Sequence, residues 1–121
     1  MDIPLVGQVI VSLEFGFSLA LRTNRDYELR IESSFRLDEP ESEGFQGAPD
    51  EKLSENAAVR RLEGRQVVCA HASDDGDLRI EFADRASLVV PFDPDFEAWT
   101  VAAPQGFKAV SVAGGGLTVW E

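Results

Sequence analysis

Residues 9–21 read VIVSLEFGFSLAL, and this stretch decides the fold. Every odd position carries an apolar side chain, and the even positions are polar or small except Ile10. Alternation with a period of two is typical of β-structure with one buried face. A membrane helix needs about 20 consecutive apolar residues, and a signal peptide needs a basic start and a continuous apolar block. The stretch therefore predicts strands of a soluble protein, with Phe15-Gly16-Phe17 marking either a turn or a bulge.

The same alternation continues on both sides of this stretch. Residues 27–37 alternate as well, and Thr23–Asp26 between the two runs is typical of a hairpin turn. These residues form a first β unit over residues 5–37. Residues 62–92 repeat the plan at an offset of 57 to 59 positions, with Asp75-Gly76 as a strong hairpin signal. The sequence therefore predicts two related three-stranded meanders.

The segment between the units, residues 38–61, is predicted to be an acidic loop followed by a short helix. Residues 38–56 hold seven carboxylates against the single base Lys52, a composition typical of a solvated loop. A helix from Pro49 or Asp50 to Arg61 is favoured because prolines and acids suit its first turn and bases its last. We expect Leu53, Ala57 and Leu62 to face the sheet.

Residues 93–121 are predicted to form a turn and a C-terminal hairpin. The hairpin strands are Phe107–Ala113 and Leu117–Trp120, joined by Gly114-Gly115-Gly116. The fold class is thus mainly β: two related three-stranded meanders, a C-terminal hairpin and one short helix. We expect a single domain over residues 1–121, built as a sandwich or as a partly open barrel.

The charge balance excludes several classes of function. The 121 residues include 11 Lys and Arg against 22 Asp and Glu, a net charge of −11 at pH 7. Binding of nucleic acid through phosphates needs clustered bases, and anionic lipid surfaces repel an acidic protein. The single cysteine, Cys69, permits no intrachain disulfide, which favours a cytoplasmic location.

Several motifs together resemble a family of small bacterial proteins of unknown function. They are Ser73-Asp74-Asp75-Gly76, then Asp93-Pro94-Asp95-Phe96-Glu97-Ala98-Trp99, then Gly114-Gly115-Gly116-Leu117-Thr118-Val119-Trp120. The second is the most specific, and the resemblance covers most of the chain. It supports the boundaries of the fold but implies no activity. Small acidic β-rich proteins of this kind are also similar to immunity proteins that neutralise bacterial toxins, which is an analogy of fold and charge.

No residue pattern predicts catalysis, a metal or a cofactor. His71 is the only histidine, and a general base needs a partner that orients it. Cys69 and His71 share one strand, whereas the members of a nucleophilic pair usually come from different elements. One Cys and one His exclude the common zinc patterns, and the Asp74–Asp77 run lacks the ligand spacing of a calcium loop.

The leading hypothesis is a binding protein that presents acidic loops to a basic protein partner. Phe96 and Trp99, beside Glu97, could add apolar contact area or fill the end of the core. The candidate partner-binding residues are Asp38, Glu39, Glu41, Glu43, Asp93, Asp95, Phe96, Glu97 and Trp99. The alternative is a small enzyme or small-molecule binder with a pocket near His71. A third hypothesis is a homodimer joined through edge strands.

Overall fold

The computed structural model describes residues 1–121 and contains eleven strands. Two short helical turns, a 3-10 helix at Glu51–Glu55 and α1 at Ala57–Arg60, lie between the fifth and sixth strands. The strands are β1 Ile10–Glu14, β2 Leu19–Thr23, β3 Glu28–Ile31, β4 Phe35–Asp38, β5 Phe45–Gly47, β6 Val67–Ala72, β7 Leu78–Phe82, β8 Ser87–Val90, β9 Trp99–Ala102, β10 Lys108–Ser111 and β11 Leu117–Trp120.

These strands form two antiparallel sheets that pack as a sandwich. One sheet has six strands in the order β1-β2-β3-β9-β10-β11, and the other has five in the order β5-β4-β8-β7-β6. Between them lies a cluster of 26 buried apolar residues. The mainly β fold class is confirmed, and the sheets are not closed into a barrel. No helix is long and apolar enough to cross a membrane.

The strand that follows each meander lies in the opposite sheet. After β3, residues 32–34 carry the chain across, so that β4 pairs with β8. After β8, residues 91–98 carry it back, so that β9 pairs with β3. The boundary drawn at residue 37 is therefore wrong in one respect, because β4 belongs to the second sheet. The strands β5 and β9 were also missed, since residues 45–47 and 99–102 were assigned to a loop and a turn.

The two meanders meet through matching backbone contacts. The Gly7 N–H donates to the Val67 carbonyl at 2.8 Å, and the Gly64 N–H donates to the Ile10 carbonyl at 2.7 Å. Gly7 and Gly64 both have positive φ, at 86° and 93°. β1 and β6 each carry an irregularity at the equivalent place, between Ile10 and Ser12 and between Val67 and Cys69. The backbone contacts that join the two meanders are thus reciprocal.

The irregularity in β1 corrects the single buried face predicted for residues 9–21. Ile10 is buried and Val11 is exposed, the reverse of the alternation, because the extra residue of a bulge changes which side chains point inward. Residues 15–18 form the turn between β1 and β2, and Phe17 is fully exposed there. Leu13 and Phe15 pack against the core as the alternation predicts, and Leu19 and Leu21 are fully buried.

The helix predicted up to Arg61 is interrupted at Asn56. Asn56 has extended backbone angles, and its side chain accepts a hydrogen bond from the Val59 N–H, so it ends one turn and caps the next. Leu53 and Leu62 are buried as expected, but Val59 is buried in place of Ala57, which is exposed. Because a new helical turn begins at the Asn56 cap, the side chain that faces inward is that of Val59 and not that of Ala57.

Candidate functional site

Three loops from different parts of the chain meet at one end of the sandwich. They are the β6–β7 turn (residues 73–77), the β8–β9 connection (residues 91–97) and the β10–β11 turn (residues 112–116). The Phe92 N–H donates to the Asp77 carboxylate at 2.8 Å, and the Gly116 N–H donates to the Asp75 carbonyl at 2.7 Å. We call residues 73–77 and 91–97 together the acidic loop surface.

Asp93 holds the 91–97 connection in one conformation. One carboxylate oxygen accepts hydrogen bonds from the N–H groups of Asp95 and Phe96, and the other accepts one from the Ser33 hydroxyl at 2.7 Å. The Asp93 carbonyl also accepts a hydrogen bond from Gly114. The Ser33 hydroxyl and these backbone donors lower the pKa of Asp93 below its ordinary value. Asp93 therefore orders the surface, and its neighbours are free to face a partner.

The exposed part of the surface is acidic and aromatic. Its free carboxylates are those of Asp74, Asp75, Asp95 and Glu97, all exposed. Phe96 is 63% exposed and Phe92 is 38% exposed. Residues 73–77 and 91–97 contain no Lys or Arg. Negative charge and apolar area therefore lie side by side on loops whose backbones are fixed.

The glycines of the β10–β11 turn let these loops approach closely. Gly115 has a φ of +107°, and a side chain there would lie 3.5 Å from the Asp75 carbonyl and 3.7 Å from the Phe92 ring. Glycine adopts this backbone region without steric cost. The triplet is thus a spacer between loops, as its position between two strands indicated.

Trp99 does not belong to this surface, although it was among the candidate partner-binding residues. It is 1% exposed and lies in the core. Its indole N–H donates to the Gly76 carbonyl at 2.8 Å, and the Ser111 hydroxyl donates to the same oxygen. A buried Trp whose N–H is satisfied is a packing residue. Trp99 supports the acidic loop surface from below by fixing the 73–77 turn.

The structure separates the two halves of the predicted docking set. Asp38 lies opposite Ser87 at the start of β8, whereas residues 91–97 follow its end. Asp38 pairs with Arg36 at 2.9 Å. Glu41 and Glu43 are exposed on the same distant loop. The residues around Asp38 and the acidic loop surface therefore lie at opposite ends of β8.

Glu39 is engaged in an ion-pair network and is not a free surface charge. Its side chain is 9% exposed and accepts hydrogen bonds from Arg61 at 2.6 Å and from Arg65. Arg65, equally buried, also donates to Asp84 at 2.8 Å and stacks over the Phe82 ring. We call Glu39, Arg61, Arg65 and Asp84 the Glu39 network.

These contacts shift the pKa values of Glu39 and Asp84. The Arg61 hydrogen bond, together with Arg65, lowers the pKa of Glu39 to about 2, although burial opposes the shift. Burial raises the pKa of Asp84, but the hydrogen bonds from Arg65 and the Ala86 N–H outweigh it, and the pKa lies below its ordinary value. Both carboxylates are therefore charged at neutral pH and tie residues 39, 61–65 and 84 together.

His71 has no surrounding pocket. It is exposed on β6, and its Nδ1 lies 3.4 Å from the carboxylate of Asp2, itself almost fully exposed. The three cavities of the protein, including a 500 Å³ groove beside Val68 and Arg79, do not include His71 among their lining residues. Cys69 is a free, exposed thiol. No group of three or more His, Cys, Asp or Glu side chains is arranged to hold a metal ion.

The sequence pattern missed the 73–77 turn as a part of the site. Asp74 and Asp75 lie 19 and 18 positions before Asp93, and the sequence pattern indicates only a polar hairpin turn there. The residue that requires a close approach is Gly76, where a Cβ would lie 2.5 Å from the Gly116 carbonyl oxygen, and the Asp75-Gly76 pair is the signal of this turn in the sequence.

Fold and site together define a small all-β protein whose most distinctive surface is an ordered set of acidic and aromatic loops. The model of the family of unknown function DUF6188 matches residues 1–121. The chain therefore belongs to this family, which confirms the resemblance to a family of unknown function. No curated protein and no solved structure matches the chain.

Proposed function

We propose that this protein is a cytoplasmic, non-enzymatic binding protein that docks a basic protein partner on its acidic loop surface. The observation that carries the proposal is the meeting of two separate loops in one surface, where exposed carboxylates flank Phe92 and Phe96 without an opposing base. Acidic groups alone would be a solvated surface. Exposed aromatic rings on an ordered backbone are typical of interface anchors.

Charge would supply speed and orientation of binding. The net charge of −11 and the four free carboxylates of the surface attract a basic partner from a distance. Complementary charge of this kind can raise association rates to about 10⁸ M⁻¹ s⁻¹ at low salt. The rate falls as salt increases because exposed charges are screened over about 10 Å at 0.1 M salt.

The aromatic rings would supply residence time. Phe96 is anchored through its backbone N–H to Asp93 at 3.1 Å, so its ring projects from a preordered loop. Binding then costs less conformational entropy than ordering a mobile loop would. A buried aromatic anchor contributes about 2 kcal/mol or more when it fills a partner pocket.

An immunity-like role, the covering of the basic face of a toxin, is the form of this function that we consider first. Such a role needs fast association, which the exposed carboxylates favour. It also needs an ordered surface, which the hydrogen bonds of Asp93 support. The alternative of an enzyme or small-molecule binder at His71 has less support, because the imidazole is exposed and lines none of the three cavities.

The experiment compares two fourfold charge reversals with the same change in net charge. One variant carries Asp74→Lys, Asp75→Lys, Asp95→Lys and Glu97→Lys in the acidic loop surface. The control carries Glu41→Lys, Glu43→Lys, Glu51→Lys and Glu55→Lys, which are exposed acids outside it. Both reversals move the net charge from −11 to −3.

Association with a lysine- and arginine-rich peptide is measured by stopped flow at low and at physiological salt. We expect the surface variant to lose at least about tenfold in association rate at low salt, and the control to lose much less. Equal losses in the two variants would mean that only the overall charge matters, and the proposed surface would be wrong.

A further inference from the structure

β11 is the one sheet edge of this protein that is left without protection. The β6 edge is covered by residues 1–5, where the Ile3 N–H donates to the Ala70 carbonyl and the Ala72 N–H to the Met1 carbonyl. β1 is irregular and bonded to residues 64–65, and β5 has only three residues. β11 is regular, with four residues in unbroken register along β10. Natural proteins usually shield such an edge with a charge, a proline or a bulge.

The register identifies the free hydrogen-bonding groups of this edge. The Val112 N–H donates to the Gly116 carbonyl, so this carbonyl and the backbone groups of Thr118 and Trp120 point toward β10, while the Gly116 N–H is bonded to Asp75. Antiparallel ladders alternate. The N–H and C=O groups of Leu117 and Val119 therefore point away from β10, in a row that is ready to accept another strand.

The charge distribution indicates what could pair there. Residues 98–120 contain a single charged side chain, Lys108, although the whole chain carries −11. Lys108 lies over the Trp120 ring, with 5.7 Å between its Nζ and the ring centroid. Two copies of a strongly acidic protein repel each other over most of their surface. β11 itself carries no charged side chain and Glu121 lies just beyond its end, so this edge offers a second copy less repulsion than the acidic loops do.

We propose that two copies of this chain associate by antiparallel pairing of β11 with β11 across a twofold axis at Thr118. In this register Thr118 lies opposite its own copy, and Leu117 lies opposite the copy's Val119. Four backbone hydrogen bonds join Leu117 and Val119 of one chain to Val119 and Leu117 of the other. An interface of this kind is self-complementary, as twofold symmetry requires.

The side chains agree with this register. Trp120 lies opposite the copy's Gly116, which has no side chain to clash with the indole. Thr118 against Thr118 is a favourable cross-strand pair, and no like charges are opposed. The two Lys108 residues are three strand spacings apart across the sheet and four residues apart along it, about 20 Å in all, beyond the screening length of about 10 Å. The contact is short, so the dimer is weak and depends on concentration.

The register is tested by cross-linking in a Cys69→Ser background. Thr118→Cys places two thiols at a non-hydrogen-bonded antiparallel pair, where the Cα atoms are about 4.5 Å apart and a disulfide fits. Lys108→Cys is the matched control, because it is exposed on the neighbouring strand but about 20 Å from its copy. We expect covalent dimer from Thr118→Cys and little from Lys108→Cys. Equal yields from the two variants would overturn the proposal.

Sedimentation velocity of the full chain from about 10 μM to about 1 mM measures the equilibrium, a range suited to a weak interface. Thr118→Lys opposes like charges across the axis and should weaken the dimer about tenfold, whereas Thr100→Lys on β9 should not. High salt should strengthen the dimer, because it screens the repulsion between two acidic copies. A monomer at every concentration, or equal effects of the two lysines, would overturn the proposal. Salt should strengthen this dimer but weaken the docking of a basic partner. The dimer and the docking surface can therefore be refuted independently of each other.

Discussion

Removal of the Glu39 carboxylate tests whether this residue holds the structure together. The variant Glu39→Gln keeps the size of the side chain but loses the charge that faces Arg61 and Arg65. The pKa of Glu39 is lowered from 4.5 to about 2. At about 1.4 kcal/mol for each pKa unit, this corresponds to about 3 kcal/mol. Arg61 is half exposed, and screening by water reduces the value to about 2 kcal/mol.

The lowered pKa of Glu39 determines the pH range in which its carboxylate stabilises the folded state. A carboxylate whose pKa is lower in the folded state stabilises that state above pH 4.5, and the stabilisation is lost as pH falls from 4.5 toward 2. Glu39→Gln should therefore lower the free energy of unfolding by about 2 kcal/mol at pH 7. Its difference from the natural protein should shrink to roughly 0.4 kcal/mol near pH 2, because Glu39 is then about half protonated in the folded state and almost fully protonated in the unfolded state.

Urea unfolding at pH 7, 5, 3 and 2 provides the measurement, and Glu41→Gln is the control because Glu41 is exposed and makes no ion pair. The control should follow the natural protein within about 0.5 kcal/mol at every pH. The reasoning is refuted if Glu39→Gln is as stable as the control at pH 7. It is equally refuted if a loss at pH 7 persists unchanged at pH 2.

Three further substitutions test the supports of the acidic loop surface and the rival site. Gly76→Ala should cost about 3 kcal/mol or more in thermal or urea unfolding, because φ is +97° and a Cβ would lie 2.5 Å from the Gly116 carbonyl oxygen; Gly16→Ala, with open space around it, is the neutral control. Trp99→Phe should lower the unfolding free energy by about 2 kcal/mol, since it removes the hydrogen bond to Gly76 and leaves a cavity. An unchanged value would mean that the indole N–H does not fix the turn. His71→Ala should change stability by less than about 0.5 kcal/mol, because its contact with Asp2 is exposed; a larger loss would show an interaction at His71 that the structure lacks.

Much of the fold follows from the alternation of apolar residues. Leu19, Leu21, Leu29 and Ile31 are all buried, and their strands pair in the hairpin that Thr23–Asp26 predicted. The two βββ meanders and the C-terminal hairpin are present in the structure for the same reason. A repeated pattern with clear turn residues determines local pairing strongly.

The exchange of strands between sheets could not be predicted from the same pattern. The apolar residues from Tyr27 to Leu37 keep the same parity on both sides of Ser33, although the chain leaves one sheet after Ile31 and enters the other at Phe35. An inward side chain faces the same core in either layer of a sandwich, so the alternation continues through the crossing. The sheet order depends on long-range pairing that no local signal encodes.

The candidate site was only partly predictable for a related reason. Asp95, Phe96 and Glu97 are exposed on an ordered loop, in agreement with the composition of that segment. Glu39 could not be distinguished from its exposed neighbours, because its partners Arg61 and Arg65 lie more than 20 positions away. Trp99 is the first residue of β9, but Pro91 and Pro94 before it indicated a turn and not a strand. A sequence shows which residues are charged, but which charged residues form ion pairs depends on the fold.

The most direct test of the central claim is to locate where a basic ligand binds. A lysine- and arginine-rich peptide is titrated into the ¹⁵N-labelled protein, and the amide shifts are followed at low and at physiological salt. We expect the largest changes at residues 74–77 and 92–97, weaker at the higher salt, and small changes at residues 39–43. Changes centred on residues 39–43, or spread evenly over all exposed acids, would contradict the proposed docking surface.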